Sequence, residues 1–184
     1  FIILCSSGFP LKSNNNKNIN IINNFLNICK KVNPKKIIFL SSAGSIYPQN
    51  LNNHNLIEED NPSPISTYGK LKLLAERLIT LFSEVYKIDH IILRISSAYG
   101  YDKRFSDQGV INKWLFNAIT NQPLKIYNSK ISEINFISFD QISQAIMCSV
   151  EKEIIGIYNI GTDKSMSLQE IINKIIKITK KEIF

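Results

Sequence analysis

Hydrophobic positions along the chain follow two patterns, one typical of buried strands and the other of amphipathic helices. Short unbroken apolar runs predict strands that are covered on both faces. Apolar residues spaced three and four apart predict helices with one buried face. The predicted strands are residues 1–5, 36–40, 90–95, 124–127, 135–139 and 156–160. The predicted helices are residues 19–32, 68–85, 110–119, 142–150 and 168–176.

Polar residues mark the beginnings of several helices. The polar segment 12–17 predicts a loop before the first helix. Asp140 is predicted to cap the helix that follows it. Ser167, with Glu170 three residues later, predicts a capping box at the last helix.

The helix 68–85 carries one apolar stripe that is predicted to face the core, with Glu76 and Arg77 outside it. The members of the stripe are Tyr68, Leu71, Leu74, Ala75, Leu78 and Phe82.

Strands that alternate with helices predict an α/β fold with a mostly parallel sheet and helices on both faces. In such sheets ligands bind outside the carboxyl ends of the strands. The segments after Leu40 and after Ile95 are therefore where a functional site is expected.

Composition and charge narrow the possible functions. The 184 residues are 44% hydrophobic and 20% charged, which is typical of a folded domain and excludes intrinsic disorder. Lysine and arginine exceed aspartate and glutamate by 22 to 15. The lysines are scattered and only three arginines are present, which argues against nucleic-acid binding. The apolar runs are far shorter than the roughly 18 residues of a membrane span.

The cysteines and histidines show no spacing typical of a metal site. Cys5, Cys29 and Cys148 are odd in number and far apart, which predicts reduced thiols in a cytoplasmic protein. His54 and His90 each lack a second ligand at metal-binding spacing.

Tyr68 and Lys72 are four residues apart at the start of a predicted helix and therefore share one face. A tyrosine with an ordinary pKa of about 10 is a poor base at neutral pH. A neighbouring ammonium group stabilises the phenolate and lowers that pKa, so the pair is suited to proton transfer. The same spacing also arises by chance, and Tyr99 with Lys103 repeats it in a segment that predicts a turn.

A serine-rich segment follows the predicted strand 36–40. Ser41, Ser42 and Ser45 place hydroxyl groups at the carboxyl end of that strand, where they can orient a substrate alcohol beside Tyr68. The alternative is an ordinary turn with side-chain capping.

The ordered series of motifs resembles the extended short-chain dehydrogenase/reductase family of nucleotide-sugar epimerases and dehydratases, most closely the UDP-glucose 4-epimerase type. The matching segments are Ser-Ser-Ala-Gly-Ser-Ile-Tyr at 41–47, Glu-Asp-Asn-Pro-Ser-Pro at 59–64, Ser-Thr-Tyr-Gly-Lys-Leu-Lys at 66–72, Leu-Arg-Ile-Ser-Ser-Ala-Tyr-Gly at 93–100 and Tyr-Asn-Ile-Gly at 158–161. The resemblance covers nearly the whole chain and implies a Rossmann-like core with NAD as the cofactor.

The resemblance also implies an oxidation of a sugar hydroxyl with hydride transfer to NAD. Tyr68 removes the proton, while Lys72 lowers the pKa of Tyr68 and holds the nicotinamide ribose. Ser45 or Ser42 hydrogen-bonds the same hydroxyl. The remaining assignments by resemblance are Asn18, Ser41 and Ser96 for the cofactor and Ser97 and Tyr127 for the nucleotide sugar. For Asn18 the alternative is the N-cap of a helix that begins at Ile19.

Several positions depart from the family pattern. The Gly-rich turn that cradles a dinucleotide pyrophosphate is absent from the printed sequence, so we expect it to precede Phe1 in a longer protein. The usual catalytic hydroxyl is replaced by Ala43. The Asn that commonly contacts the sugar nucleotide is replaced by Ser97, and the phosphate-binding Arg by Ile134. A dehydratase and a non-catalytic remnant of the family therefore stay open as alternatives to a 4-epimerase.

The resemblance further predicts the organisation of the chain. Residues 1–105 would form a partial NAD-binding core with the catalytic helix, and residues 106–184 a partial substrate-binding region interleaved with the last core strand and helix. Relatives commonly form homodimers through the two helices that correspond here to 19–32 and 68–85.

Overall fold

A computed structural model describes residues 1–4, 15–48, 56–100, 109–124 and 133–180. The strands are β1 (Ile2–Leu4), β2 (Lys36–Ser42), β3 (Asp89–Ile95), β4 (Ser97–Tyr99), β5 (Ile134–Ser138), β6 (Gly156–Ile160) and β7 (Ser165–Met166). The helices are α1 (Asn15–Val32), α2 (Ala43–Ile46), α3 (Thr67–Tyr86), α4 (Val110–Ile119), α5 (Phe139–Glu151) and α6 (Leu168–Thr179).

Four strands form a parallel sheet in the order β1-β2-β3-β6. Alternate residues of β2 face opposite sides, as the period of a strand requires. Ile37 and Phe39 join a core cluster with Ile22 of α1 and Ile79 of α3. Lys36, of the opposite parity, contacts the carboxyl end of α5. The predicted α/β fold with a parallel sheet and helices on both faces is therefore confirmed.

The described residues divide into two compact units. The first contains residues 1–96 and 144–160, and the second contains residues 97–143 and 161–184. In the second unit β5 pairs with β4 in parallel and with β7 in antiparallel. Its core is centred on Trp114, Phe136 and Ile171. The predicted division into an NAD-binding and a substrate-binding part stays a prediction.

The first helix begins earlier than predicted. α1 begins at Asn15, so the polar loop predicted over 12–17 is wrong for its last three residues. Asn18 lies within the first turn of this helix, which rules out the interpretation of Asn18 as its N-cap. The apolar period begins only at Ile19, because the helical residues before it are asparagines and a lysine, which are not apolar residue types.

The cap of α5 is Ser138, so the prediction of Asp140 as the cap is wrong. The amide of Gln141 donates to Ser138 Oγ at 3.2 Å, and the amide of Ser138 donates to Gln141 Oε1 at 3.1 Å. These reciprocal bonds make Ser138 the cap, whereas Asp140 lies inside the first turn. The capping box of Ser167 with Glu170 is confirmed.

Several of the predicted strand positions need correction. β1 is an edge strand of the described sheet, so Phe1 and Ile3 are exposed instead of buried. β5 ends at Ser138, and Phe139 already belongs to α5. Leu124 belongs to no strand, and the rest of the strand predicted at 124–127 lies outside the described residues.

Two residues of α3 show the opposite burial to the one predicted. Leu74, predicted to be buried, is 38% exposed, whereas Glu76, predicted to be outside the stripe, is only 2% exposed. Glu76 can be buried because Arg94 of β3 neutralises its charge.

Candidate functional site

The carboxyl ends of β2 and β3 bring the serine residues together. β2 is two residues longer than predicted, so Ser41 and Ser42 lie inside the strand, in register with Arg94 and Ile95 of β3. Ser96 follows β3 directly. Hydroxyl groups from two neighbouring strands therefore line the edge where ligands bind in parallel sheets.

Two of these hydroxyl groups are buried without a hydrogen-bond partner. Among the described residues the buried side-chain polar atoms without a partner are Ser41 Oγ, Ser83 Oγ and Ser96 Oγ. An unsatisfied buried hydroxyl is costly, and it is commonly explained by a water or ligand that completes its bonding. Ser41 and Ser96 thus provide two hydrogen-bonding groups at the expected ligand edge.

α3 presents Tyr68 and Lys72 at the same edge. The helix begins where Ser66 Oγ accepts a hydrogen bond from the amide of Gly69 at 3.0 Å. Lys72 is fully buried, and its Nζ donates to the carbonyl oxygen of Leu40 at 2.7 Å. The Lys72 Nζ also lies 5.6 Å from the centroid of the Tyr68 ring. The two residues that the sequence pairs are therefore adjacent in the structure.

α2 brings Ser45 against the start of α3. A Cβ atom on Gly69 would collide with the carbonyl oxygen of Ser45, so only glycine permits this approach. The amide of Ser63 donates to the carbonyl of Ile46 at 2.9 Å and fastens the other side of α2. Ser45 thus lies next to the residue that follows Tyr68.

A buried ion pair joins α3 to β3. Arg94 donates from Nε to the two carboxylate oxygens of Glu76 at 3.2 and 3.3 Å and from Nη2 at 2.9 Å. Burial alone lowers the pKa of Arg94, but the hydrogen bonds and charge of Glu76, together with a smaller contribution from Tyr47, outweigh it, so the pKa is raised. Local sequence pattern does not predict this pair, although an arginine within an apolar strand is a signal of a buried partner.

The remaining predicted site residues lie in the second unit or outside the described part of the structure. Ser97 begins β4 in the second unit. Tyr127 lies outside the described residues, as does the side chain of Asn18. Tyr99 lies in β4, while Lys103, its partner in the second Tyr-x-x-x-Lys spacing, is not among the described residues.

The described part of the chain contains neither a metal-binding cluster nor a helix that could span a membrane. No group of three or more His, Cys, Asp or Glu residues there could hold a metal ion. None of the described helices is both long and apolar enough to cross a membrane.

The sequence profile of the NAD dependent epimerase/dehydratase family matches residues 10–161, a range that includes the Tyr68–Lys72 pair and both serine-bearing strand ends. The chain belongs to this family. It is 33% identical to the dTDP-4-dehydro-6-deoxyglucose reductase of Escherichia coli over 99% of this chain and 60% of that protein.

Solved structures of two epimerases are similar to the chain. One is the UDP-N-acetylglucosamine 4-epimerase of Methanobrevibacter ruminantium in complex with UDP-N-acetylmuramic acid, with a TM-score of 0.82, 29% identity, and coverage of 92% of this chain and 55% of that one. The other is the UDP-glucose 4-epimerase of Thermotoga maritima with UDP-glucose, with a TM-score of 0.82, 25% identity, and coverage of 91% and 55%. The chain thus spans little more than half the length of these relatives.

Proposed function

We propose that the protein carrying this chain is an NAD-dependent 4-epimerase of a nucleotide sugar such as UDP-glucose. The observation that supports it most is the buried ammonium group of Lys72, which lies 5.6 Å from the Tyr68 ring at the carboxyl edge of the sheet. The similarity to two sugar-nucleotide 4-epimerases supports the same reaction class.

Tyr68 is the general base of the proposed reaction. Its phenolate oxygen accepts the proton of a sugar hydroxyl as the carbon of that alcohol is oxidised. The neighbouring Lys72 ammonium favours the phenolate electrostatically and so lowers the pKa of the base towards neutral pH. Ser45 or Ser42 donates a hydrogen bond to the same sugar oxygen and orients it. Ser45 has the better support, because its backbone lies against the first turn of α3.

The residues at this edge fit the ribose and nicotinamide end of NAD. Ser41 and Ser96 offer buried hydroxyl groups that have no partner in the described structure, and Lys72 offers an ammonium group that lies 5.6 Å from the Tyr68 ring. When bound, NAD supplies an acceptor for hydride. Asn18, in the first turn of α1, is proposed to support the cofactor region.

The pyrophosphate of the cofactor needs a separate site. A Gly-rich turn at a helix N-terminus is the usual solution, because unpaired backbone amides and the helix dipole both attract phosphate. In this proposal a turn of that kind in the complete protein holds the pyrophosphate. We also propose that Ser97 and Tyr127 contact the sugar nucleotide. A cytoplasmic location is proposed as well, in keeping with the free thiols of Cys29 and Cys148.

A homodimer is part of the proposal. α1 and α3 pack against each other, and each carries large apolar side chains that are exposed to solvent. Ile28 and Val32 of α1 are 52% and 61% exposed, and Leu81 and Val85 of α3 are 57% and 65% exposed. Exposed apolar side chains at spacings of four residues on two neighbouring helices are suited to pairing with a second copy.

The reaction is tested by incubating the complete protein with NAD and UDP-glucose and following the configuration at C4 by NMR. We expect interconversion with UDP-galactose and no net conversion of NAD to NADH. A 4-keto-6-deoxy product would instead assign a dehydratase. A second incubation contains NADH and a 4-keto sugar nucleotide, and stoichiometric oxidation of NADH there would assign a reductase like the Escherichia coli relative. Absence of turnover with UDP- and dTDP-sugars alike would favour a non-catalytic remnant.

A further inference from the structure

One guanidinium group lies between the two elements that carry the proposed active-site residues. Arg94 is 3% exposed, and two of its nitrogens bind Glu76, which lies one helical turn after Lys72 on α3. Its third nitrogen, Nη1, donates to the hydroxyl oxygen of Tyr47 at 2.6 Å. Tyr47 immediately follows α2, the helix that contains Ser45.

The hydroxyl group of Tyr47 extends this connection to two further segments. Its single proton can be donated to the carbonyl oxygen of Ile57 at 3.1 Å or to Asn159 Oδ1 at 3.0 Å. The Glu58 carboxylate accepts a hydrogen bond from the backbone amide of Asn159 at 2.6 Å. The segment that contains Ile57 and Glu58 and precedes α3 is thus bonded to β6 next to the Tyr47 hydroxyl group.

The energetics of this cluster favour a geometric role over a stabilising one. Removing two charges from water costs about as much as their attraction returns, so a buried ion pair contributes little net stability. Its directional bonds nevertheless specify one arrangement of the groups that they join. Arg94 is bonded to α3 through Glu76 and to the end of α2 through Tyr47. Both helices are therefore held by the same side chain of β3.

We infer that Tyr47 is a positioning residue, which holds α2 at the distance from α3 that the proposed reaction requires. This inference rests on the proposed function. Tyr47 touches neither substrate nor cofactor in the proposed reaction. It acts through Ser45, whose hydroxyl group must reach the same sugar oxygen as Tyr68. A displacement of about 1 Å between such groups costs on the order of 100-fold in rate.

The test is Tyr47→Phe in the complete protein, because this change keeps the buried ring and removes only the bridging oxygen. We expect kcat per folded molecule to fall roughly 10- to 100-fold, with KM changed less than about twofold. The pH dependence of kcat/KM should keep the wild-type profile, since Tyr68 and Lys72 are untouched. Tyr158→Phe is the matched control on β6, because the Tyr158 hydroxyl is exposed and, within the part of the chain that the structure describes, bonds the nearby carbonyl of Ile155. This control should keep wild-type kcat.

Hydrogen exchange provides a readout besides activity. In Tyr47→Phe the amides of residues 56–69 should exchange faster, whereas those of the buried centre of α1 should not change. Wild-type kcat in folded Tyr47→Phe, or faster exchange spread evenly over the chain, would overturn the inference. Tyr68→Phe is measured in parallel. If Tyr68→Phe stays fully active the proposed function fails, whereas if it is inactive and Tyr47→Phe is not, only the positioning role fails.

Discussion

Lys72 Nζ lies 2.7 Å from the carbonyl oxygen of Leu40, so the ammonium group on α3 is held by the backbone of β2. This bond is independent of Tyr68 and keeps the positive charge 5.6 Å from the tyrosine ring. The backbone of β2 therefore fixes the position of the ammonium group that, in our proposal, favours the phenolate of Tyr68.

Replacing Lys72 with Met should keep most of the stem volume while removing the charge. We expect turnover at neutral pH to fall on the order of 100-fold, because the pKa of Tyr68 returns towards the ordinary tyrosine value of about 10. Activity should recover in part as the pH of the assay is raised. A loss of the same size at every pH would contradict the electrostatic role of Lys72.

The two candidate serines can be distinguished by single substitutions. Ser45→Ala should lower kcat roughly 10- to 100-fold, because the sugar oxygen loses a hydrogen-bond donor that orients it. Ser42→Ala serves as the comparison and should have a much smaller effect. Steady-state kinetics of the two variants decide the assignment, and the reverse order of effects would transfer the role to Ser42.

Lys36→Met should destabilise the fold without touching the site. Lys36 is 3% exposed, and its Nζ donates to the carbonyl oxygens of Ser149, Lys152 and Ile154 at 3.3, 3.0 and 3.0 Å. Methionine fills the space but leaves these acceptors unpaired, which should lower the free energy of unfolding by about 1–3 kcal/mol.

The neighbouring residue is the matched control for this change. The side chain of Lys35 is 70% exposed, and its ion pair with Glu153 is 3.6 Å long. Lys35→Met should therefore change the free energy of unfolding by less than about 0.5 kcal/mol in urea denaturation. Equal effects of the two substitutions would show that the buried carbonyl contacts of Lys36 contribute nothing measurable.

The proposed dimer predicts that Leu81→Glu yields a monomer. Leu81 is 57% exposed, so the substitution should be tolerated within one chain but should place an unpaired charge in the interface between two copies. Sedimentation velocity measures the oligomeric state. Ile178→Glu on α6, at a side chain that is 73% exposed, should leave the dimer intact. A Leu81→Glu protein that still sediments as a dimer would place the interface elsewhere.

The sequence predicted the features that depend on local pattern. The apolar runs at 36–40 and 90–95 became the central strands β2 and β3, and the three-four spacing located α3 within one residue at each end. The Tyr68–Lys72 contact follows from helix geometry alone. Each of these features needs only neighbouring residues, which is why the pattern was sufficient.

The missed features depend on partners that are distant in sequence. Nothing local shows that Glu76 is buried, because its burial requires Arg94 on another element. The burial of Lys36 likewise requires carbonyl groups more than 100 residues away. The choice of Ser138 over Asp140 as a cap was decided by where β5 ends, which neither residue type reveals.

The central claim, that Tyr68 is the base of a sugar oxidation, is tested most directly by the turnover of Tyr68→Phe in the complete protein. Phenylalanine keeps the ring on α3, so the melting temperature should hardly change, while loss of the phenolic oxygen should lower kcat by about 10² to 10⁴. Tyr99→Phe, in the second Tyr-x-x-x-Lys spacing, should have a much smaller effect. Full activity of Tyr68→Phe together with loss of activity in Tyr99→Phe would contradict the account and would require the proposed active site to be withdrawn.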